Sequence, residues 1–317
     1  MHSIKLVGIL LLVLCACMTG KPRFAAPNSE NGCFLIVLGI TQDGGYPHAG
    51  CQRECCRLVF SGKQKPKPPV CLGLIDRRAG KVFMIEATPA FAEQWRRLQE
   101  VAACPDKRAP DGIFVTHAHI GHYTGLMQLG REVMGTKNVP VWAMPRMEKF
   151  LRENGPWSQL VSLQNIDLQP LRADSTVQLT ADLRITPFLV PHRDEFSETV
   201  GYRIETPRKK VVFIPDIDKW EKWQRDIVTE VRSADCALLD ATFFKDGELK
   251  GRAMKEVPHP FVEETMRRFA LEPAIEKKKV TFIHLNHTNP LLWDKSAQKE
   301  LLRAGFSLAE EGMVIGL

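Results

Sequence analysis

The sequence predicts an α/β fold in which two β-sheets pack face to face with helices outside them. Three observations predict it. Ten short strand-like runs are spread along the chain, five helical stretches separate some of them, and strand pairs precede helices in a pattern that then repeats. With 317 residues, 44% of them hydrophobic, the chain can bury one large core or two moderate ones. No linker splits it, so residues 32–317 read as one domain.

The strand-like runs are 34–39, 70–75, 82–86, 112–116, 139–144, 183–190, 199–205, 210–215, 236–240 and 280–285. They are short and rich in apolar residues, as strands of a buried sheet are. The helical stretches are 89–103, 126–134, 145–153, 220–232 and 260–270. Pro89, Pro145 and Pro260 open three of them, where the missing N–H would be unpaired anyway. There is no internal repeat or low-complexity segment.

Charged residues make up 25% of the chain, which reads as folded and not disordered. The net charge of +6, from 43 Lys and Arg against 37 Asp and Glu, is mild for this length. The basic clusters at 63–67 and 208–210 are short and carry no interleaved aromatics, which reads as solvated turns and argues against a nucleic-acid partner.

The start of the chain is different. Lys5 precedes an apolar run at 6–14 that is too short to cross a bilayer as a helix, which needs about 20 residues, and reads as a secretory signal. The following Leu14-Cys15-Ala16-Cys17 resembles the bacterial lipobox. The resemblance implies cleavage of 1–16, a lipid on Cys17, a flexible tether over 17–31, and an exported protein anchored at the periplasmic face of a bacterial membrane. An uncleaved anchor or a plain signal peptide is the alternative. Of nine cysteines, Cys15 and Cys17 belong to this segment. The remaining seven cannot all pair as disulfides, and Cys33, Cys71 and Cys236 sit in strand-like runs as small core residues.

The chemistry-bearing stretch is FVTHAHIGHYTGL at 114–126. His117 and His119 are two apart, so on extended chain they face the same side; His122 follows a turn and approaches from another angle. Imidazole nitrogens in this pattern suit zinc and related metals.

The run His117-Ala118-His119-Ile120-Gly121-His122 resembles the HxHxDH signature of the metallo-β-lactamase superfamily. The resemblance implies a four-layer αββα sandwich with a metal centre at one edge. His192, after the run ending at 190, is similar to that family's third ligand of the first metal. Asp216 matches its bridging carboxylate, and His284 its last ligand. The first metal would take His117, His119 and His192, and the second His122, Asp216 and His284. Gly121 departs from the signature: a ligand and a negative charge are missing. The second metal would then be weakly held, or its carboxylate would come from Asp218, Asp194 or water.

Within the superfamily, the opening LGITQDGGYP at 38–47 and the closing HLNHTNPLL at 284–292 resemble the PqqB family of pyrroloquinoline quinone biosynthesis. A second resemblance is to RNase Z and to the phosphodiesterase of the carbon–phosphorus lyase pathway. It implies that His259, backed by Asp240, protonates a leaving group, as a carboxylate-supported imidazole can; a helix-capping role for His259 is the alternative.

Cys51, Cys55 and Cys56 form a tight thiol cluster in a loop, and thiolates bind zinc in sites of four N or S ligands. The phosphodiesterase resemblance implies His287 as the fourth ligand of a structural zinc, although the spacing Cys-x-x-x-Cys-Cys departs from that family's. A disulfide, or His287 standing in for His284, are the alternatives.

The expected activity is a metal-dependent hydrolase in which an activated hydroxide attacks a phosphodiester or ester of a small-molecule substrate. The expected cofactors are one or two catalytic zinc ions and one structural zinc, with iron or manganese also suited to the catalytic donors. The alternatives are an iron-dependent oxygenase, as the PqqB resemblance permits, and a non-catalytic metal- or cofactor-binding lipoprotein. Neither substrate nor oligomeric state is legible. Residues 145–180 and 243–258 are the expected pocket walls.

Overall fold

Strand β1 (Cys33–Gly39) shows why the apolar runs are continuous and not alternating. Leu35 and Val37 enter one core while Phe34, Ile36 and Leu38 enter another. Such a strand is covered on both faces, and each face demands hydrophobic side chains. The computed structural model describes residues 32–249 and 254–317. The expected signal segment and tether, with Cys17, lie outside the described residues.

From β1 the chain passes through α1 (Glu54–Phe60), β2 (Cys71–Asp76), β3 (Lys81–Ile85), α2 (Phe91–Ala102), β4 (Gly112–Phe114), α3 (Ile120–Tyr123), β5 (Val139–Ala143), α4 (Pro145–Glu153), α5 (Trp157–Ser162) and β6 (Ile166–Pro170). The second half runs through β7 (Val177–Gln178), β8 (Arg184–Leu189), β9 (Val200–Glu205), β10 (Lys210–Ile214), α6 (Ile227–Arg232), β11 (Cys236–Asp240), α7 (Val262–Arg268), α8 (Ala274–Lys279), β12 (Val280–Ile283), α9 (Lys295–Arg303), β13 (Ser307–Leu308) and β14 (Val314–Gly316).

The strands form two sheets, ordered β14-β1-β2-β3-β4-β5-β6 and β13-β12-β11-β10-β9-β8-β7. Each is antiparallel on one side and parallel on the other: β3 to β6 run parallel in the first, β10 to β13 in the second. One core holds side chains of both sheets together with α6, α7 and α9, and the other lies between the first sheet and α2, α4 and α5. This is the expected four-layer αββα sandwich. In α2, Phe91, Trp95, Leu98 and Val101 are buried at helical spacing. Burying a side chain such as Leu98 contributes roughly 1.5–3 kcal/mol. A Cβ on Gly73 of β2 would lie 2.5 Å from Leu98 Cδ1, so the helix can close on the sheet only over a glycine.

Ligands of α/β sheets bind beyond the carboxyl ends of strands. Here β4, β10, β11 and β12 end beside the candidate site, and β8, antiparallel to β9 as β10 is, ends there too. Cross-sheet bonds fix this edge. Tyr202 Oη donates to Val115 O at 2.6 Å, and Val200 N donates to Thr116 O at 3.2 Å. Leu285 N donates to Ile40 O at 2.9 Å, and Gln42 N donates back to Leu285 O at 3.0 Å.

Two expected helices are shorter than their pattern implied. At 126–134 there is a 3-10 turn, Thr124–Leu129, ended by Gly130 in an extended conformation. At 220–232 a short turn, Trp220–Lys222, precedes α6, which restarts after Asp226 caps Thr229 N at 2.8 Å. Between them Trp223 leaves the helical region to bury its ring and donate from Nε1 to Leu189 O at 2.9 Å. Trp220 and Trp223 are core residues and do not flank a pocket mouth. The short strands β6, β7, β13 and β14 carry too few apolar residues to stand out in the sequence. Among the described residues no helix is long and apolar enough to cross a membrane.

Tyr202 is fully buried, so its hydroxyl is the one cross-sheet bond removable without a change of shape. Tyr202→Phe should lower stability by about 1–3 kcal/mol, the cost of an unsatisfied buried carbonyl. Urea unfolding checks it; an unchanged midpoint would contradict the role given to this bond.

Candidate metal centre

Strand β4 ends at Phe114, and the chain continues extended through His119, where φ is −93° and ψ 146°. That geometry puts His117 and His119 on one side, as their spacing requires. Helix α3 then makes a single turn, closed by His122 N donating to His119 O at 2.9 Å, and swings His122 in from below. His192 follows β8, Asp216 follows β10, and His284 follows β12. His284 adopts a left-handed backbone (φ 66°), as does Glu86 after β3 (φ 79°). Such strain in non-glycine residues persists where the surroundings over-determine it, commonly at functional sites.

His117, His119, His192 and Asp216 present ligand-type atoms that all lie within 4.8 Å of one another. His117 Nε2 is 2.9 Å from His119 Nδ1 and 3.4 Å from Asp216 Oδ2. His192 Nε2 is 3.3 Å from His119 Nδ1 and 3.2 Å from Asp216 Oδ2. Tetrahedral zinc with bonds of about 2.0–2.1 Å places its ligand atoms about 3.3 Å apart. A second set, His122, Asp216 and His284, meets the same 4.8 Å limit. Asp216 belongs to both, as expected of a bridging carboxylate.

The opposite ring nitrogens are held from behind. His117 Nδ1 meets Thr116 Oγ1 at 2.9 Å, His122 Nδ1 meets Glu86 Oε1 at 3.0 Å, and His192 Nδ1 meets Asp218 Oδ1 at 3.2 Å. His284 Nδ1 meets Thr242 Oγ1 at 2.9 Å, and His119 Nε2 meets Glu195 Oε2 at 3.3 Å. Metal-binding histidines almost always carry such a partner on the nitrogen facing away from the ion. By contrast, His122 Nε2, His284 Nε2 and Asp216 Oδ1 are buried with no hydrogen-bond partner. Leaving buried polar atoms unpaired costs about 1–3 kcal/mol each, so their convergence fits a group that takes lone pairs. The donor set of imidazole nitrogens and carboxylate oxygen suits zinc.

His259 stands beside the second set. Its Nδ1 lies 2.9 Å from Asp240 Oδ2 and 3.1 Å from Asp216 Oδ1. Burial works against the charged imidazole, but Asp240 and Asp216 overcome it and push the pKa up to about 10. Burial would likewise lower the pKa of His192, and the Asp216 and Asp218 carboxylates raise it to about 9. Asp240 is not aimed at the centre: its Oδ1 accepts from Thr242 N and Oγ1, and its Oδ2 from Ile217 N.

The expected replacements for the missing carboxylate at Gly121 are corrected by the structure. Asp218 lies behind His192 and pairs with Lys222 Nζ at 2.6 Å, and Asp194 accepts from Thr199 Oγ1 at 2.8 Å. Asp43, from the loop after β1, lies there instead. Its Oδ1 accepts from Gly121 N at 3.1 Å and is 3.4 Å from His122 Nε2. Asp43 and Glu86 are the residues that sequence reasoning missed. Asp43 stood in the quoted TQDGGYP stretch with no role assigned, and Glu86 closed an expected strand.

Cys51, Cys55, Cys56 and His287 form a separate set whose ligand atoms all lie within 4.8 Å. His287 Nδ1 is 3.4 Å from Cys56 Sγ and 3.8 Å from Cys55 Sγ, and all three thiols are free. His287 therefore faces the thiols and does not replace His284. The expected wall at 145–180 lies mostly on the far side of the first sheet, as α4, α5 and β6, because their apolar faces complete that core. Only Phe150 and Trp157 reach the centre's neighbourhood, stacking around Tyr123 at 5.5 and 5.0 Å. Ile120 and Phe196 are the large apolar side chains exposed next in sequence to His119 and Glu195.

Residues 81–311 match a family model described as the beta-lactamase superfamily domain. The coenzyme PQQ synthesis protein B of Klebsiella pneumoniae is 26% identical over 309 residues, covering 90% of this chain and 98% of that protein. The Zn(2+)-bound PqqB from Methylobacterium extorquens superposes with a TM-score of 0.73 at 19% identity, over 90% of this chain and 100% of that one. A diphosphatase from the PhnP family superposes with a TM-score of 0.62 at 21% identity, over 90% and 97%.

Replacing one thiol separates the two metal-type clusters. Cys51→Ser should lower zinc by one equivalent in elemental analysis and leave the histidine–aspartate centre loaded; unchanged zinc content would rule out the thiol site.

Proposed function

The chain belongs to the beta-lactamase superfamily, and from that premise we propose that it is a metal-dependent hydrolase of small phosphodiesters or esters. One observation carries the reading: ligand nitrogens and a bridging carboxylate converge unpaired on one edge, while their outward atoms are all held. Likeness to a PhnP-family diphosphatase favours a phosphorus centre over a carboxyl ester.

When bound, zinc supplies a Lewis acid and water whose pKa is lowered to about 7. The protein does the rest. His117, His119 and His192 would hold the first ion, His122 and His284 the second, and Asp216 both. Glu86, Thr116, Thr242 and Asp218 fix the ring orientations. His259 is positioned by Asp240 through Nδ1 and keeps its proton at neutral pH. It is a general acid for the departing oxygen, a role worth about 10²–10⁴-fold. The exposed Ile120 and Phe196 offer an apolar contact for the substrate beside the centre. Lipid attachment at Cys17 belongs to the same proposal; Cys17→Ser would move the protein from the membrane fraction to the soluble one.

Turnover of bis-p-nitrophenyl phosphate tests the centre. His119→Ala should lose both bound metal and turnover, and full activity without metal would refute the mechanism. His259→Ala should keep its metal. It should lose about 10²-fold or more in kcat with an alkyl leaving group, and far less with p-nitrophenolate, which departs without a proton. Equal losses on both substrates would remove the general-acid role.

A further inference from the structure

The signature of the superfamily reads HxHxDH, and here Gly121 stands at the acidic position. We propose that Asp43, delivered by the loop after β1, is the carboxylate ligand of the second metal position. This rests on the metal-hydrolase reading above.

The first support is occupied space. A Cβ built on Gly121 would lie 2.4 Å from Asp43 Oδ1 and 2.3 Å from Asp43 Cα. Neither distance is tolerable, so no side chain at 121 can coexist with Asp43 in this place. The lost carboxylate and the new one exclude each other and fill one volume from two directions.

The second support is the ligand geometry. Asp43 Oδ1 and His122 Nε2 are 3.4 Å apart, yet His122 Nε2 has no hydrogen-bond partner, so the pair is close but not bonded to one another. About 3.3 Å is the spacing of two ligand atoms on one tetrahedral zinc with bonds of about 2.0–2.1 Å. The same oxygen accepts from Gly121 N at 3.1 Å, which anchors the carboxylate as the partner of a metal ligand is usually anchored.

The third support is the scaffold. The Asp43 loop is tied to the segment that carries His284. Gln42 N donates to Leu285 O at 3.0 Å, Asn286 Nδ2 donates to Gln42 Oε1 at 2.5 Å, and Thr41 bridges Leu285. Gly45 turns the loop at φ 73°, with its N donating to Gln42 O at 2.8 Å, and Tyr46 is buried behind it with its hydroxyl on Cys55 O at 2.7 Å. A solvated turn aspartate has no need of such fixing.

The test counts metal and does not depend on turnover. Wild type and Asp43→Asn are loaded with zinc, desalted and analysed for zinc per chain, then titrated with a chelator. Asparagine keeps an acceptor for Gly121 N, so the loop retains its anchor, and far-UV circular dichroism verifies the fold. Asp43→Asn should lose one equivalent, or hold it at least about 100-fold more weakly, the upper end of what losing an orienting partner alone costs. Equivalents at the first position and at the thiol cluster should persist. The exchange variant Asp43→Gly with Gly121→Asp should restore the lost equivalent by returning the carboxylate to the signature position. Wild-type stoichiometry and affinity in Asp43→Asn would overturn the assignment while leaving the hydrolase reading intact, and failure of the exchange variant to restore the equivalent would overturn the claim of a shared volume. Wild-type protein that holds no zinc at the histidine–aspartate centre would overturn the hydrolase reading and this assignment with it.

Discussion

The structure depends on keeping the Asp216 carboxylate buried. It is 1% exposed, with His259 at 3.1 Å, His192 at 3.2 Å and His117 at 3.4 Å. A carboxylate taken out of water costs several kcal/mol unless it is paired, and neighbouring imidazoles compete for the same few protons. The fold meets this by gathering strand ends from both sheets around a single residue. β4 and β10 lie in different sheets, and the bonds from Tyr202 and Val200 to the 115–116 backbone hold them in register. The same crowding pushes Asp216 well below the usual carboxylate range: burial opposes ionisation, and His192 and His259 outweigh it.

Much of this was legible in the sequence, because its signals are local. Strands covered on both faces leave long apolar runs, and those fixed ten of the strands to within a few residues. Histidines two apart on extended chain, followed by a third after a turn, declare a metal-type cluster without any tertiary knowledge. His192, Asp216 and His284 could be placed because each follows an apolar strand end. What stayed hidden is what depends on contact across the fold. Asp43 meets Gly121 across 78 positions, and an aspartate before two glycines reads as a turn former. Glu86 closes an apolar run and gives no hint that its carboxylate is fully buried against Thr116 and His122. Trp223 overrode helical spacing because burying an indole outweighs a few turns of weak propensity.

The two ligand-type clusters share their supports. Residues 284–287 carry His284 to the histidine–aspartate centre and His287 to the thiols, with Leu285 and Asn286 tied to the loop at 41–42. That loop carries Asp43 and continues to His48, whose ring stacks on His287 at 4.6 Å and whose N–H donates to Cys56 Sγ at 3.3 Å. An ion among the thiols therefore braces both segments that shape the neighbouring centre. Such a brace suits a loop that lies outside the sheets and has little apolar burial of its own.

The pairing of the loop after β1 with the segment after β12 also sets an order of events during synthesis. Asp43 emerges from the ribosome early and His284 late, and β1 itself waits for β14 at its outer edge. The first ligand set is complete once Asp216 has been made, whereas the second needs nearly the whole chain. Loading of the two positions is thus staged by chain topology, and a truncated nascent chain presents a one-metal intermediate before the finished protein can bind its second ion.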